Sequence, residues 1–111
     1  MRQFHTAHLE IKKDFCEDFQ THPYECGWAS EAIFYIRVED VSGDAPVLNA
    51  AAQISADGIT WVNEGSVFKP ISDKGLYFIR LEHFGGWLRL DCRVSGEGAR
   101  FRLLVNIALK E

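Results

Sequence analysis

The stretch VLNAAAQISADGITW, residues 47–61, alternates for nine residues and then breaks at Asp57-Gly58. Leu48, Ala50, Ala52 and Ile54 fall on one side of an extended chain and Asn49, Ala51, Gln53 and Ser55 on the other, the period of a strand with one face buried. An Asp-Gly pair between alternating segments is a strong hairpin signal, because a type I′ turn needs positive φ at both central residues. Read as a two-residue turn, it sets Ile54 opposite Trp61 and directs the indole inward over Ala52 and Ala50. On that reading Trp61 belongs to a packed layer and faces no ligand.

The same period runs through most of the remaining chain. EAIFYIRVE, residues 31–39, sets Ala32, Phe34, Ile36 and Val38 against Ile33, Tyr35 and Arg37, so its second face is apolar in part as well. DVSGDAP, residues 40–46, reads as a loop from its Ser, Gly, Asp and Pro. LYFIRLEHF, residues 76–84, and WLRLDCRV, residues 87–94, alternate around Gly85-Gly86, a second hairpin candidate. In the latter run Leu88, Leu90, Cys92 and Val94 oppose Trp87, Arg89, Asp91 and Arg93. SGEG, residues 95–98, turns the chain into RFRLLVNIALK, which places Phe101, Leu103, Val105, Ile107 and Leu109 inside. Near the N-terminus, RQFHTAHLEIK reads as a strand with Ala7, Leu9 and Ile11 inward. The segment that follows, to about residue 30, mixes aromatic, acidic and turn residues without a period, and is expected to be irregular. No helical period extends over ten residues anywhere. The expectation is an all-β fold, an antiparallel β-sandwich or jelly roll of about six to eight strands, with a barrel as the second architecture.

Size and composition narrow the classes. A chain of 111 residues is one domain by size, residues 1–111, with the first thirty partly irregular. Its 47% hydrophobic and 25% charged residues are those of a folded globular protein, which argues against disorder. With no long apolar run and no apolar signal segment, a cytoplasmic location without membrane association is expected. The net charge of −4, with acids scattered among the bases, argues against nucleic acid as a partner.

Taken together, WASEAIFYIRV, QISADGITW and HFGGWLRL resemble segments of a class of small, uncharacterised bacterial β-sandwich modules, some phage-related or surface-associated. In these an S-x-D-G-x-x-W hairpin precedes a Y-x-x-R-type strand and a late tryptophan strand. The resemblance spans roughly residues 27–110 and implies a structural or interaction role, with no catalytic residue to carry over.

Chemistry-bearing motifs are sparse. There is no G-x-S-x-G elbow, and Gly96-x-Gly98 precedes no helix, so neither a nucleophile nor a phosphate cradle is expected; no catalytic residue and no cofactor is assigned. Cys16, His22 and Cys26 are zinc-type ligands lying close in sequence, yet they lack the C-x2-C spacing of a structural site and read better as loop residues. Three cysteines exclude a full disulfide framework, leaving a Cys16–Cys26 bridge or free thiols. Aromatic residues are the stronger lead. Trp87 shares an outward face with Arg89 and Arg93, and Tyr24 and Trp28 lie in the irregular segment; these five are the binding candidates. A Trp flanked by arginines suits a protein interface, and exposed rings also suit a sugar face. The sequence therefore supports a non-enzymatic structural or protein-interaction module, a subunit of a homo-oligomer or larger assembly. A carbohydrate-binding module is the first alternative, and a small metal-binding protein or hydrolase the second.

Overall fold

A computed structural model describes residues 4–111, with the backbone alone at Ile11 and Lys12. The described residues form seven strands: β1 (Phe4–Phe15), β2 (Phe19–Gln20), β3 (Tyr24–Glu25), β4 (Glu31–Ser55), β5 (Val62–Val67), β6 (Gly75–Glu82) and β7 (Trp87–Lys110). The sequence expectation for Ile11 and for residues 2 and 3 of the first strand lies outside the described residues.

Two long strands, β4 and β7, organise everything else. They pair antiparallel from Glu31↔Lys110 at one end to Ser55↔Trp87 at the other. The segments expected as separate strands joined by the loops 40–46 and 95–98 are thus continuous, and those loops are the corner of a bent ribbon. Pairing persists through the corner, at Val41↔Phe101, Ser42↔Arg100 and Asp44↔Glu97, with register shifts at Val38/Asp40, Ser42/Asp44 and Asp44/Val47. Bulges of this kind bend a strand without ending it. Two glycines make the bend sterically feasible. A Cβ on Gly43, at φ +112°, would stand 2.6 Å from the Ala99 Cα, and one on Gly96, at φ +108°, would stand 2.7 Å from the Ala45 carbonyl oxygen.

The bend divides the ribbon into two half-sheets. In the first, β6 flanks β4 and β1 flanks β7; in the second, β5 flanks β4 and β2 and β3 flank β7. All pairings are antiparallel. One buried cluster takes side chains from both halves: Phe34 and Ile36 with Phe101 and Val105 from the first, Leu48 with Leu88 and Leu90 from the second. The architecture is a β-sandwich of jelly-roll type, and the inward sets read from the alternation are those that fill it. Phe34, Ile36, Leu48, Leu88, Leu90, Phe101, Leu103, Val105, Ile107 and Leu109 are all fully enclosed. Complete burial of one such side chain contributes roughly 1.5–3 kcal/mol, so the alternation supplies the main driving force.

The N-terminal region holds one long strand, followed by a segment that contributes the two-residue strands β2 and β3. β1 runs along β7 from Phe4↔Lys110 to Phe15↔Phe101, interrupted by shifts at His8/Glu10 and Glu10/Lys13. Beyond it, Thr21 lies buried between β2 and β3, where its backbone N–H donates to the Leu90 carbonyl and its Oγ1 accepts the Leu90 N–H at 2.9 Å. Backbone pairing with β7, rather than a side-chain period, orders this segment. Among the described residues no helix is long and apolar enough to cross a membrane.

Candidate functional site

The turn at Asp57-Gly58 differs from the two-residue hairpin, and the difference moves Trp61. Pairing resumes at Ile54↔Val62, so a six-residue loop, residues 56–61, replaces the tight turn. Its backbone is satisfied locally. Asp57 Oδ1 accepts the N–H groups of Ile59 and Thr60 at 2.8 and 2.9 Å, while Ser55 Oγ accepts that of Gly58 at 2.8 Å and donates to Asp57 at 2.9 Å. Short side chains that bond nearby backbone offer the chain an alternative to the ladder, and they displace the register by one residue here. A slip of one residue reverses a strand's faces. Trp61 therefore lies half-exposed on the outer face, with the Arg89 guanidinium carbon 4.4 Å from its ring centroid. The expectation that it faces Ile54 in the core is corrected accordingly. The same hydrogen bonds, those from Thr60 and Ile59 first, hold the Asp57 carboxyl below the usual carboxylate range.

Trp87, Arg89 and Arg93 do share the outer face of the second half-sheet, alternating with the buried Leu88, Leu90 and Cys92. Their polar groups are largely engaged by neighbours. Arg89 Nε donates to Gln53 Oε1 at 2.7 Å, and Gln53 Nε2 donates to Asn63 Oδ1 at 3.1 Å, forming a row across β7, β4 and β5. Arg93 contacts Asp91 at 3.2 Å and Asp18 at 3.7 Å, and Gln20 donates to Asp91 at 2.8 Å. Trp87 covers Gly58: a Cβ there would stand 3.1 Å from the indole. Tyr24 and Trp28 are half-buried and pack against the core, Tyr24 also stacking on His5 at 5.9 Å, so they do not join Trp87 in one platform.

The cysteine and histidine candidates are not brought together. Cys16, Cys26 and Cys92 are all free thiols, with Cys16 exposed and the other two buried. Among the described residues no group of three His, Cys, Asp or Glu side chains is placed to hold a metal ion. His22 approaches the Glu10 carboxylate at 4.0 Å. Burial, with Glu25 adding to it, pushes the Cys26 thiol up to about 12, the opposite of what a thiolate ligand needs. A Cys16/His22/Cys26 site is not formed.

The other outer face, on the first half-sheet, sets exposed apolar side chains among polar ones. Cross-strand register builds it in rows: Arg80, Ile33, Ala108 and Thr6; then Phe78, Tyr35, Asn106 and His8; then Leu76, Arg37 and Leu104. Phe78 and Leu76 are each 53% exposed, and Phe4 is 63% exposed at the end of β1. The Phe78 ring lies 6.2 Å from Tyr35 and 5.4 Å from the Arg80 guanidinium carbon. Phe4, Ile33, Tyr35, Arg80, Glu82 and Lys110 border a shallow groove of about 270 Å³ on this side. Alternation marks Ile33, Tyr35 and Phe78 as outward apolar residues. Leu104 and Ala108 obey the same rule but are hidden in sequence by the apolar residues on either side of each, and Phe4 falls at the edge of the readable pattern.

No family model matches the chain, and no curated protein does. Solved structures with the same fold are found. The SPBc2 prophage-derived protein YomS aligns over 100% of this chain and 96% of its own, with a TM-score of 0.61 and 8% identity. A chain in the structure of infectious bursal disease virus, Gx strain, aligns over 98% of this chain with a TM-score of 0.62 and 11% identity; the match covers 32% of that chain. At such identities the likeness is one of fold. It agrees with the resemblance to phage-related β-modules at that level and carries no residue over.

Proposed function

We propose that the protein is a non-enzymatic structural or interaction module, a subunit of an oligomer or larger assembly. The observation that carries this is the outer face of the first half-sheet, where Leu76, Phe78, Tyr35, Ile33 and Phe4 leave apolar surface set among Arg37, Arg80, Glu82 and Lys110. A sheet packed on its core through one face ordinarily presents polar side chains on the other, and apolar patches rimmed by charge mark contact surfaces. That one fold neighbour is prophage-derived and another a chain of a virus structure supports an assembly role. Sedimentation equilibrium over a concentration series tests the reading: reversible association is expected, and a strict monomer up to millimolar concentration overturns it.

A second reading, a carbohydrate-binding module, is favoured by the row of Trp61, Arg89, Gln53 and Asn63 beside Trp87, which sets two indoles next to amide and guanidinium groups. Calorimetric titration with a panel of oligosaccharides tests it; heats of binding abolished by Trp87→Ala support the reading, and a panel without heats removes it.

A further inference from the structure

The two half-sheets end in edges of unequal character. β1 carries two register shifts, β5 carries one shift and Gly65 at φ +114°, and β2 and β3 are two residues each. Bulges and short strands are the ordinary means of blocking edge-to-edge pairing. β6 has neither. It pairs with β4 in unbroken register from Val38↔Gly75 to Glu31↔Glu82, and among the described residues it has no ladder on its other side. Tyr77 and Ile79, although on the core side, are only half-buried, which is what an uncovered edge leaves. Its inward positions, Tyr77, Ile79 and Leu81, hold no charge that would deter a neighbour.

We propose that the free edge of β6 pairs antiparallel with β6 of a second copy of the chain, joining two first half-sheets into one continuous sheet. This rests on the assembly reading and names its surface. A two-fold axis through Ile79 gives a register that lies wholly within the strand: Ile79 faces itself, Phe78 faces Arg80 of the other copy, Tyr77 faces Leu81 and Leu76 faces Glu82. Each Arg80 then lies against the other copy's Phe78, the pairing it already makes with its own, and each Glu82 arrives beside Leu76, whose cross-strand neighbour in β4 is the exposed Arg37. The contacts are self-complementary, as a two-fold interface requires. Centring on Arg80 instead opposes two arginines, and leaves Phe78 against Glu82.

The test is a sedimentation series on the full chain and on Phe78→Lys, with thermal melts to confirm folding, and Arg80→Glu as the second variant. The expected result is a monomer–dimer equilibrium for the wild type, weakened at least about tenfold by either substitution with melts unchanged. Register is read by disulfide cross-linking in a Cys16→Ser background. Leu76→Cys mixed with Glu82→Cys is expected to cross-link, while each alone is not, since six residues of strand, about 20 Å, separate like positions. A wild type that associates while both charge variants associate equally overturns edge pairing and leaves the assembly reading standing. A monomeric wild type overturns both, and cross-linking of Leu76→Cys with itself overturns the register.

Discussion

Arg89 sets its guanidinium carbon 4.4 Å from the centroid of the Trp61 ring while its Nε donates to Gln53, so one side chain of β7 clamps the loop that leaves β4. An arginine over an indole at a partly exposed site contributes about 0.5–1 kcal/mol, and a hydrogen bond to a charged donor adds about 1 kcal/mol or more. Arg89→Ala is therefore expected to lower unfolding free energy by about 1–2 kcal/mol. Urea titrations of Arg89→Ala, Trp61→Ala and the double variant form a cycle, in which a coupling of about 0.5–1 kcal/mol is expected and a coupling of zero contradicts the stacked geometry.

The corner of the ribbon depends on the absence of side chains at particular points. A Cβ on Gly43 meets backbone at 2.6 Å with φ at +112°, whereas Gly98, at φ +67°, has nothing within 4 Å of its Cβ position. Gly98→Ala bears only the left-handed backbone penalty, about 1–2 kcal/mol. Gly43→Ala adds a clash that no rotamer relieves, and a loss of about 3 kcal/mol or more is expected. Equal midpoints for the two variants in chemical denaturation would argue against the close approach of Gly43 to Ala99.

Acid should weaken the loop through Asp57. Because its folded carboxyl titrates below its unfolded value, the stabilisation is complete above the unfolded value, near pH 4, and disappears as pH falls through the lower folded one. Asp57→Asn keeps an acceptor but removes the charge. Its melting temperature, followed from pH 6 to pH 2, is expected to decline less below pH 4 than that of the wild type, with the two curves converging at the acid end.

Thiol chemistry should distinguish the three cysteines. Cys16 is exposed, while burial raises both Cys26, to about 12, and Cys92, to which Asp91 and Glu10 also add. With an aromatic disulfide reagent at pH 8, one thiol per chain is expected to react rapidly in the native protein and three in denaturant. Rapid release of two or more equivalents under native conditions would contradict the enclosure of Cys26 and Cys92.

Side-chain alternation made the core legible, because period 2 is the direct signature of a one-faced strand: Ala32 to Val38, Leu48 to Ala52 and Phe101 to Leu109 all lie where it places them. Continuity of the long strands was not legible. Gly, Ser, Asp and Pro at residues 42–46 and 95–98 have the composition of a loop, and only the partner strand reveals that pairing survives the bulges. Trp61 was misread for a related reason, since Ser55 and Asp57 satisfy backbone N–H groups that a tight hairpin would have left to the ladder. The outward placing of Trp87, Arg89 and Arg93 could be read from parity alone. The bonds of Arg89 to Gln53 and of Arg93 to Asp18, and the packing of Tyr24 and Trp28 on the core, required knowing which strands become neighbours.

The pairing of β4 with β7 also dictates the order in which the molecule can assemble. Joining Ser55 to Trp87 closes residues 56–86, whereas joining Glu31 to Lys110 closes residues 32–109, so nucleation is cheapest at the first and zips outward from it. Distant pairings of this sort belong with slow folders, on the scale of milliseconds to seconds. Residues 101–110 leave the ribosome after both of the strands they join, yet occupy the centre of the first half-sheet, between β1 and β4. Until they emerge, Phe34, Ile36 and Val38 have no central neighbour, and the nascent chain must hold that surface open to whatever chaperone meets it.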